Sequence, residues 1–378
     1  MTGLRLLIVA LLTWLALALA EQSLAGQPLT EQPRAEEPTL ADADSRPDPN
    51  CCAGQECCLA PPRPAWYVDT EAIALRRTVL DRIDVGSLGT MPGHLIVLDR
   101  DDLDQPFQAG PKLLIGHTFA DTPYQIEFSY FQVGDWDATT GVRNFSPNGV
   151  GSTGNLFSPF TFFGNPAPVA GVDYDNLIRI HETSHLDNEE LNWKHAICLP
   201  TNCLALTFLV GARHMSINES FDYFSTSDVS TTPGGSSAAV SSRTGNDLWG
   251  AQIGGTADLY TSQCSWIRFE CKGALCNNSA YRDLQSTLIN GAATNATVQP
   301  RLDETGTAYV ADFGITVFWR PLPHLTSRIG YQALWVDGLA LASQNYRMDP
   351  TLTLPPVAMN RKGSELYQGP FAGVEFSW

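Results

Sequence analysis

Basic residues are scarce in this chain: 23 Lys and Arg stand against 40 Asp and Glu, a formal net charge of -17 over 378 residues. Nucleic-acid binding draws its affinity from neutralised phosphates, so that balance argues against it. It argues equally against charge-driven docking on an anionic membrane surface. After residue 20 no run of 18 apolar residues occurs, and no transmembrane helix is expected in the mature chain. Long amphipathic helices are missing too, which removes the helical bundles. No G-x-S-x-G elbow and no phosphate-cradling glycine loop is present. What is abundant is different: 43% hydrophobic residues, 31 Gly, 25 Pro and 10% aromatics, the composition of a β-rich chain with many turns. Nine cysteines suit an exported protein better than a cytosolic one.

The first twenty residues read as a signal peptide. Arg5 supplies the positive start, Leu6 to Ala20 the apolar run, and Ala18-Leu19-Ala20 the small-x-small cleavage pattern. Residues 21–65 form an acidic, Pro-rich tether. Its 21–50 portion carries seven acids and two arginines with almost no large apolar side chains, too little to offset its ordering entropy. The tether ends in Cys51, Cys52, Cys57 and Cys58. In an exported chain these read as a disulfide cluster or an intermolecular cross-link, with a metal knot as the alternative.

From Trp66 onward the recurring pattern is alternation with period two, the signature of strands. Tyr124, Ile126, Phe128 and Tyr130 alternate with Gln125, Glu127 and Ser129. Tyr309, Ala311, Phe313, Ile315, Val317 and Trp319 share a face opposite Asp312, Gly314, Thr316 and Arg320. Ser327, Ile329, Tyr331, Ala333 and Trp335 oppose Arg328, Gly330 and Gln332. Further strands are expected near 66–77, 111–119, 173–181, 188–197, 204–215, 247–260 and 263–271. Strands of about ten residues with one apolar and one polar face build either a sandwich or a membrane barrel. Aromatics gather at the strand ends, as in the girdles of outer-membrane barrels. The last strand, with Ala372, Val374, Phe376 and Trp378 on one face, is the kind of terminal segment a barrel-assembly machinery would recognise. These features favour the barrel.

Several short segments together resemble one family. Trp66 with Leu75-Arg76-Arg77, Gly211-Ala212-Arg213-His214, Asn246 with Gly250-Ala251-Gln252-Ile253-Gly254, and the run from Arg328 to Gly338 are similar to the β-barrel porin family numbered seven, found mainly in planctomycete bacteria. The resemblance implies an outer-membrane location and a porin-like role, and carries over no catalytic residues.

One motif competes. His181-Glu182-Thr183-Ser184-His185 matches H-E-x-x-H, the zinc-peptidase pattern, with Glu189, Glu190 or Glu219 as candidate third ligands. That chemistry needs a helix to bring both imidazoles to one ion. Here the preceding residues alternate as a strand, where two histidines four apart are separated by roughly 13 Å. Thr183-Ser184 and Leu186-Asp187-Asn188 are expected to turn between two strands. Cys198 and Cys203 flank a hairpin loop and are candidates for a disulfide staple. Cys264, Cys271 and Cys276 are candidates for a second staple with one thiol left over, or for a shared metal site.

The expected protein is thus an all-β, transmembrane, antiparallel up-and-down barrel of about 12 strands (10–14) over residues 66–378. It is a non-enzymatic outer-membrane protein without cofactor, either a diffusion channel for small hydrophilic solutes or a structural envelope component, with outer-membrane lipid as its surroundings. Residues 135–171 and 225–245 are expected as outer loops. Inward Glu127, Asp312 and Glu375 would favour cations in a pore, opposed by inward Arg179, Arg320 and Arg328. The alternatives are a secreted zinc peptidase and a soluble disulfide-bonded envelope protein with a binding or cross-linking role.

Overall fold

The computed structural model describes residues 65–90, 94–144, 155–165, 168, 172–198, 204–227, 236–262, 264–290, 293–346 and 358–378. Residues 1–64, which take in the expected signal peptide and the expected tether up to Pro64 with its four cysteines, lie outside the described residues. Fifteen strands follow in order: β1 (Trp66–Val79), β2 (Asp84–Leu88), β3 (Leu95–Asp99), β4 (Gln108–Thr118), β5 (Tyr124–Arg143), β6 (Leu156–Phe157), β7 (Asp173–Asp175), β8 (Leu177–Cys198), β9 (Leu204–Ser227), β10 (Ser236–Tyr260), β11 (Ser265–Asn290), β12 (Ala293–Val298), β13 (Leu302–Leu322), β14 (Leu325–Leu339) and β15 (Gly363–Ser377). Three single 3₁₀ turns, at Arg100–Asp102, Pro159–Thr161 and Ala342–Gln344, complete the regular structure of the described residues.

Eleven strands form one antiparallel sheet. Short β12 hangs from the far end of β11, where Gln285 faces Val298. The other ten close on themselves, because β10 pairs with β11 and β1 pairs with β15 in the register Thr70–Val374. A closed ring has no open edge, which removes the unpaired donors and acceptors a bilayer would not tolerate. It also removes the sandwich alternative. The count of ten falls within the expected 10–14.

Both chain ends of the ring meet at one rim, where Trp66 N donates to Trp378 O at 3.0 Å. Short turns join the strands there, and we call it the turn end. Long connections leave the opposite rim, the loop end, and carry a second small sheet in the order β3-β2-β6-β7.

Strands β9, β10 and β11 run for 24, 25 and 26 residues, far beyond the ten or so expected. At ~3.3 Å per residue such a strand is roughly 80 Å long. Tilted by about 40°, it rises more than twice the ~25 Å apolar band of an outer-membrane barrel. The burial pattern shows what happens over that length. Near the turn end the outward side chains are apolar and bare, among them Trp193, Phe208, Ile253, Phe269, Phe313, Ile315, Trp319 and Ile329. Near the loop end the amphipathicity inverts along the same strands. Arg179, His181 and Asp222 face out, while Ile178, Ile180, Phe221, Tyr223 and Val240 are buried inside.

This inversion explains two departures from the sequence reading. Residues 177–198 are one continuous strand, with no turn at 183–188, because what reads as a break is the crossing from one pattern to the other. The expected outer loops are also shorter: residues 135–143 belong to β5, and 225–227 and 236–245 to β9 and β10.

Candidate functional site: the barrel interior

The lumen is a stack of layers. Along β1 the inward side chains are Tyr67, Asp69, Glu71, Ile73, Leu75, Arg77 and Val79, so one strand samples them all.

The layer at the turn end is charged and internally paired. Lys194 Nζ lies 2.5 Å from Glu127 Oε1. Arg268 grips Asp258 through two hydrogen bonds of 2.6 and 2.9 Å. Lys112 sits 3.0 Å from Glu71, and Arg328 pairs with Asp69 and Glu71. Above them Arg213 reaches Glu190 at 3.2 Å and Asp312 at 3.3 Å, and Lys272 touches the same two acids. The cavities among these side chains hold about 60 and 120 Å³.

The next layer is apolar: Ile73, Leu75, Phe131, Val133, Trp136, Leu186, Met215, Ile217, Leu248, Val310, Leu334 and Tyr367 pack in one cluster. Trp136 anchors there by donating Nε1–H to Leu75 O at 3.2 Å. The chain after β14 folds into this region. Leu339, Ala340, Leu341 and Ala342 are fully buried, held by Asn246, which accepts from Ala340 N at 2.8 Å and donates to Ala340 O at 3.0 Å. Asn278 joins by donating to Asn246 Oδ1. At Gly338 the backbone takes φ +86 and the β14–β15 register shifts, a conformation that favours glycine.

A third layer centres on Arg77. Its guanidinium contacts Glu182, Glu219 and Glu365, and all four side chains are 0% exposed. Strands β1, β8, β9 and β15 thereby meet at one point. Glu182 also accepts from Arg100 at 2.9 Å and from Gln105 at 3.2 Å, which ties the segment after β3 across the barrel. Glu219 accepts from Ala342 N at 2.9 Å. Three carboxylates around one guanidinium in a dry interior survive only if each finds further donors. Arg100, Gln105, Tyr367 and Ala342 N supply them.

At the loop end a second apolar cluster joins Val85, Leu98, Leu156, Phe160, Ile178, Phe221, Tyr223 and Tyr346, so the small sheet caps the lumen. Asp173 fixes the Pro159–Thr161 turn, accepting from Ser158 N and Thr161 Oγ1. Asp175, beside it, is 0% exposed, and burial pushes its carboxyl up to about 8, with nearby Asp173 adding to the rise.

Of the six expected lumen residues, Glu127, Asp312, Arg320, Arg328 and Glu375 do face inward. Arg179 does not. It lies on the outward parity of β8, with its guanidinium 5.6 Å from the Phe224 ring centre. Nor do Glu127, Asp312 and Arg328 line an open ring of charge, since each is buried against a partner.

The H-E-x-x-H residues are likewise separated. His181 and His185 point outward, where His181 lies 3.1 Å from Asp137 and His185 lies 3.4 Å from Asp187. Glu182 points inward to Arg77 and Arg100. Two imidazoles on one face of a strand, with the glutamate on the other, cannot share an ion with that glutamate beside it. Among the described residues no group of three or more His, Cys, Asp or Glu side chains is placed to hold a metal.

The second cysteine staple fails on the same parity. Cys264, Cys271 and Cys276 are free thiols. Cys271 faces outward and Cys276 inward on β11, and Cys264 precedes Cys271 by seven residues of extended chain, too far to bridge. The Cys198–Cys203 pairing lies outside the described residues, because Cys203 and the side chain of Cys198 are not among them.

Sequence reasoning missed Arg77, Glu182, Glu219 and Glu365 as one cluster. Arg77 and Glu365 stand 288 positions apart, and only ring closure joins them. Their one local sign is an ionisable residue at an inward position flanked by inward apolar ones, as Arg77 is by Leu75 and Val79.

No family profile matches this chain, and no curated protein matches it. Solved structures do. The outer-membrane protease OmpT from Escherichia coli is 11% identical, with a TM-score of 0.42 over 83% of this chain and 96% of its own. The translocator domain of the autotransporter NalP from Neisseria meningitidis is 8% identical, TM-score 0.32, over 83% and 88%. A major outer membrane protein from Thermus thermophilus is 9% identical, TM-score 0.29, over 83% and 100%.

Proposed function

We propose that this chain is a non-enzymatic outer-membrane β-barrel with a sealed interior, serving as a structural component of the envelope. Export by the N-terminal signal, insertion by a barrel-assembly machinery and outer-membrane lipid as the surrounding medium belong to the same reading. The band of bare Trp, Phe, Ile and Leu around the turn-end half supports the membrane. The observation that carries the sealed interior is the Arg77 layer. A residue lining an aqueous channel is wet, whereas Arg77 and its three carboxylates are not exposed at all. The apolar layer beneath it adds a second barrier.

A second reading is passive diffusion of small hydrophilic solutes, the role implied by the resemblance to the porin family numbered seven. Membership in that family rests on the short motifs, among which Arg213, His214, Asn246 and Gln252 all serve structural contacts here. Diffusion requires both the apolar layer and the Arg77 layer to part. Membrane fractionation and liposome swelling test the pair of claims. Carbonate-resistant protein that leaves liposomes unswollen in isotonic sugar supports the sealed barrel. Carbonate-soluble protein removes the membrane reading, and rapid swelling transfers the role to diffusion.

A further inference from the structure

On the outer wall above the apolar band, two histidines stand between carboxylates of neighbouring strands. His214, on β9, has Nε2 2.8 Å from Asp247 of β10 and Nδ1 3.3 Å from Glu189 of β8. The Trp249 ring stacks on its imidazole, with centroids 4.1 Å apart and planes 24° from parallel, and the residue is 7% exposed. His181, on β8, repeats the pattern one strand over. Its Nε2 is 3.1 Å from Asp137 of β5 and its Nδ1 3.4 Å from Asp222 of β9. Each ring thus lies on the middle one of three paired strands, and both of its nitrogens meet an acid.

Among the described residues no Lys or Arg lies within ion-pair distance of Asp137, Glu189, Asp222 or Asp247, so imidazole is the one cation open to them. The nearby ionisable side chains of the wall are otherwise engaged or stand apart. Tyr130 of β5 donates to Gln132 and Asp187, and His185 of β8 meets the same two residues. Arg179 of β8 sits over Phe224, and Arg243 of β10 faces outward beside Ser220. Level with Asp247 and Trp249, β11 presents only Ser279 and Asn277.

A carboxylate accepts hydrogen bonds and cannot donate. A neutral imidazole donates through one nitrogen and offers a lone pair at the other, so one of its two acids faces a lone pair. The protonated ring donates to both, and both bonds are charge-assisted. We propose that His181 and His214 form a proton-operated clasp on the outer wall, locking β5, β8, β9 and β10 together when the rings are protonated and releasing them when they are neutral. The stabilisation is present on the acid side and is lost as pH rises through the imidazole range of about 5 to 8. The clasp acts on the half of the barrel that carries the cap, since β7 leads into β8 and Ser227 of β9 donates to Tyr174 O. It rests on the strand pairing and holds whether or not the lumen conducts.

Hydrogen exchange on the refolded full chain in micelles tests this, read as protection factors at several pH values between 5 and 8.5. The segments that report are 181–189, 214–222 and 241–247, with β13 and β14 as the reference. Variants are the pair His181→Gln with His214→Gln, which cannot titrate, and the pair Asp222→Asn with Asp247→Asn, which leaves each ring a single acid. Folding of each is checked by its altered gel mobility when unheated. The expected result is protection in the reporting segments that falls about threefold or more from the acid to the alkaline end, while the reference holds steady. Both variant pairs should flatten that dependence. Protection in the unmodified protein that does not change with pH overturns the proposal. So does a fall of the same size in the histidine variants, or one shared equally by β13 and β14.

Discussion

Arg77 is surrounded by three carboxylates that have no water to fall back on. Replacing it with methionine keeps most of the volume and strands those charges in the interior, which costs about 3–5 kcal/mol. The expected outcome for Arg77→Met is a large drop in the urea midpoint of the micelle-bound protein. Adding Glu219→Gln and Glu365→Gln should recover much of the loss, because the penalty lies in the uncompensated charge and not in the missing contact. Asp175 gives the opposite case, a carboxyl that the fold prefers neutral. Unfolded, it ionises near pH 4; folded, near pH 8. Its contribution to stability therefore declines as pH rises across that interval and is lowest above it. Asp175→Asn should leave stability at pH 4 nearly unchanged and raise it by roughly 1–3 kcal/mol at pH 9. Hydrogen exchange of residues 155–165 and 172–176, the segments packed around Asp175, reads the difference directly.

Each long strand changes character partway. Outward positions of β8 run His181, Thr183, His185, Asp187 and Glu189, then Leu191, Trp193, His195 and Ile197. A charge placed low on such a strand meets hydrocarbon, and one placed high meets water. Phe313→Arg should cost about 2–4 kcal/mol in bilayers, whereas Thr183→Arg should stay within roughly 0.5 kcal/mol. Refolding titrations in vesicles distinguish the two; equal costs would mean that the band does not end where the side chains change. The same inversion sets how legible the elements were. Strands β5, β13, β14 and β15 were read with correct faces, because over the lower half of the barrel period two and the apolar band coincide. β8 was read as two strands, since neither face is uniformly apolar over its whole length. Arg179 was misassigned for the same reason: a polar residue marks the inside low on a strand and the outside high on it.

At the scale of the molecule, closure does what no segment can. It brings β1 to β15 and lets Arg77 find Glu365, and it turns a set of inward charges into neutralised pairs in place of a selective ring. The barrel and its approximate size were therefore readable from local alternation, and the state of its interior was not, because that depends on partners hundreds of residues apart. The inward fold of residues 339–346 had no local signature beyond its small and apolar composition; its holder, Asn246, lies on a different strand. The sealed interior is tested most directly by current across a planar bilayer containing the reconstituted full chain. The account predicts a flat baseline in concentrated KCl at every moderate voltage. Discrete, reproducible conductance steps from the unmodified protein would contradict it.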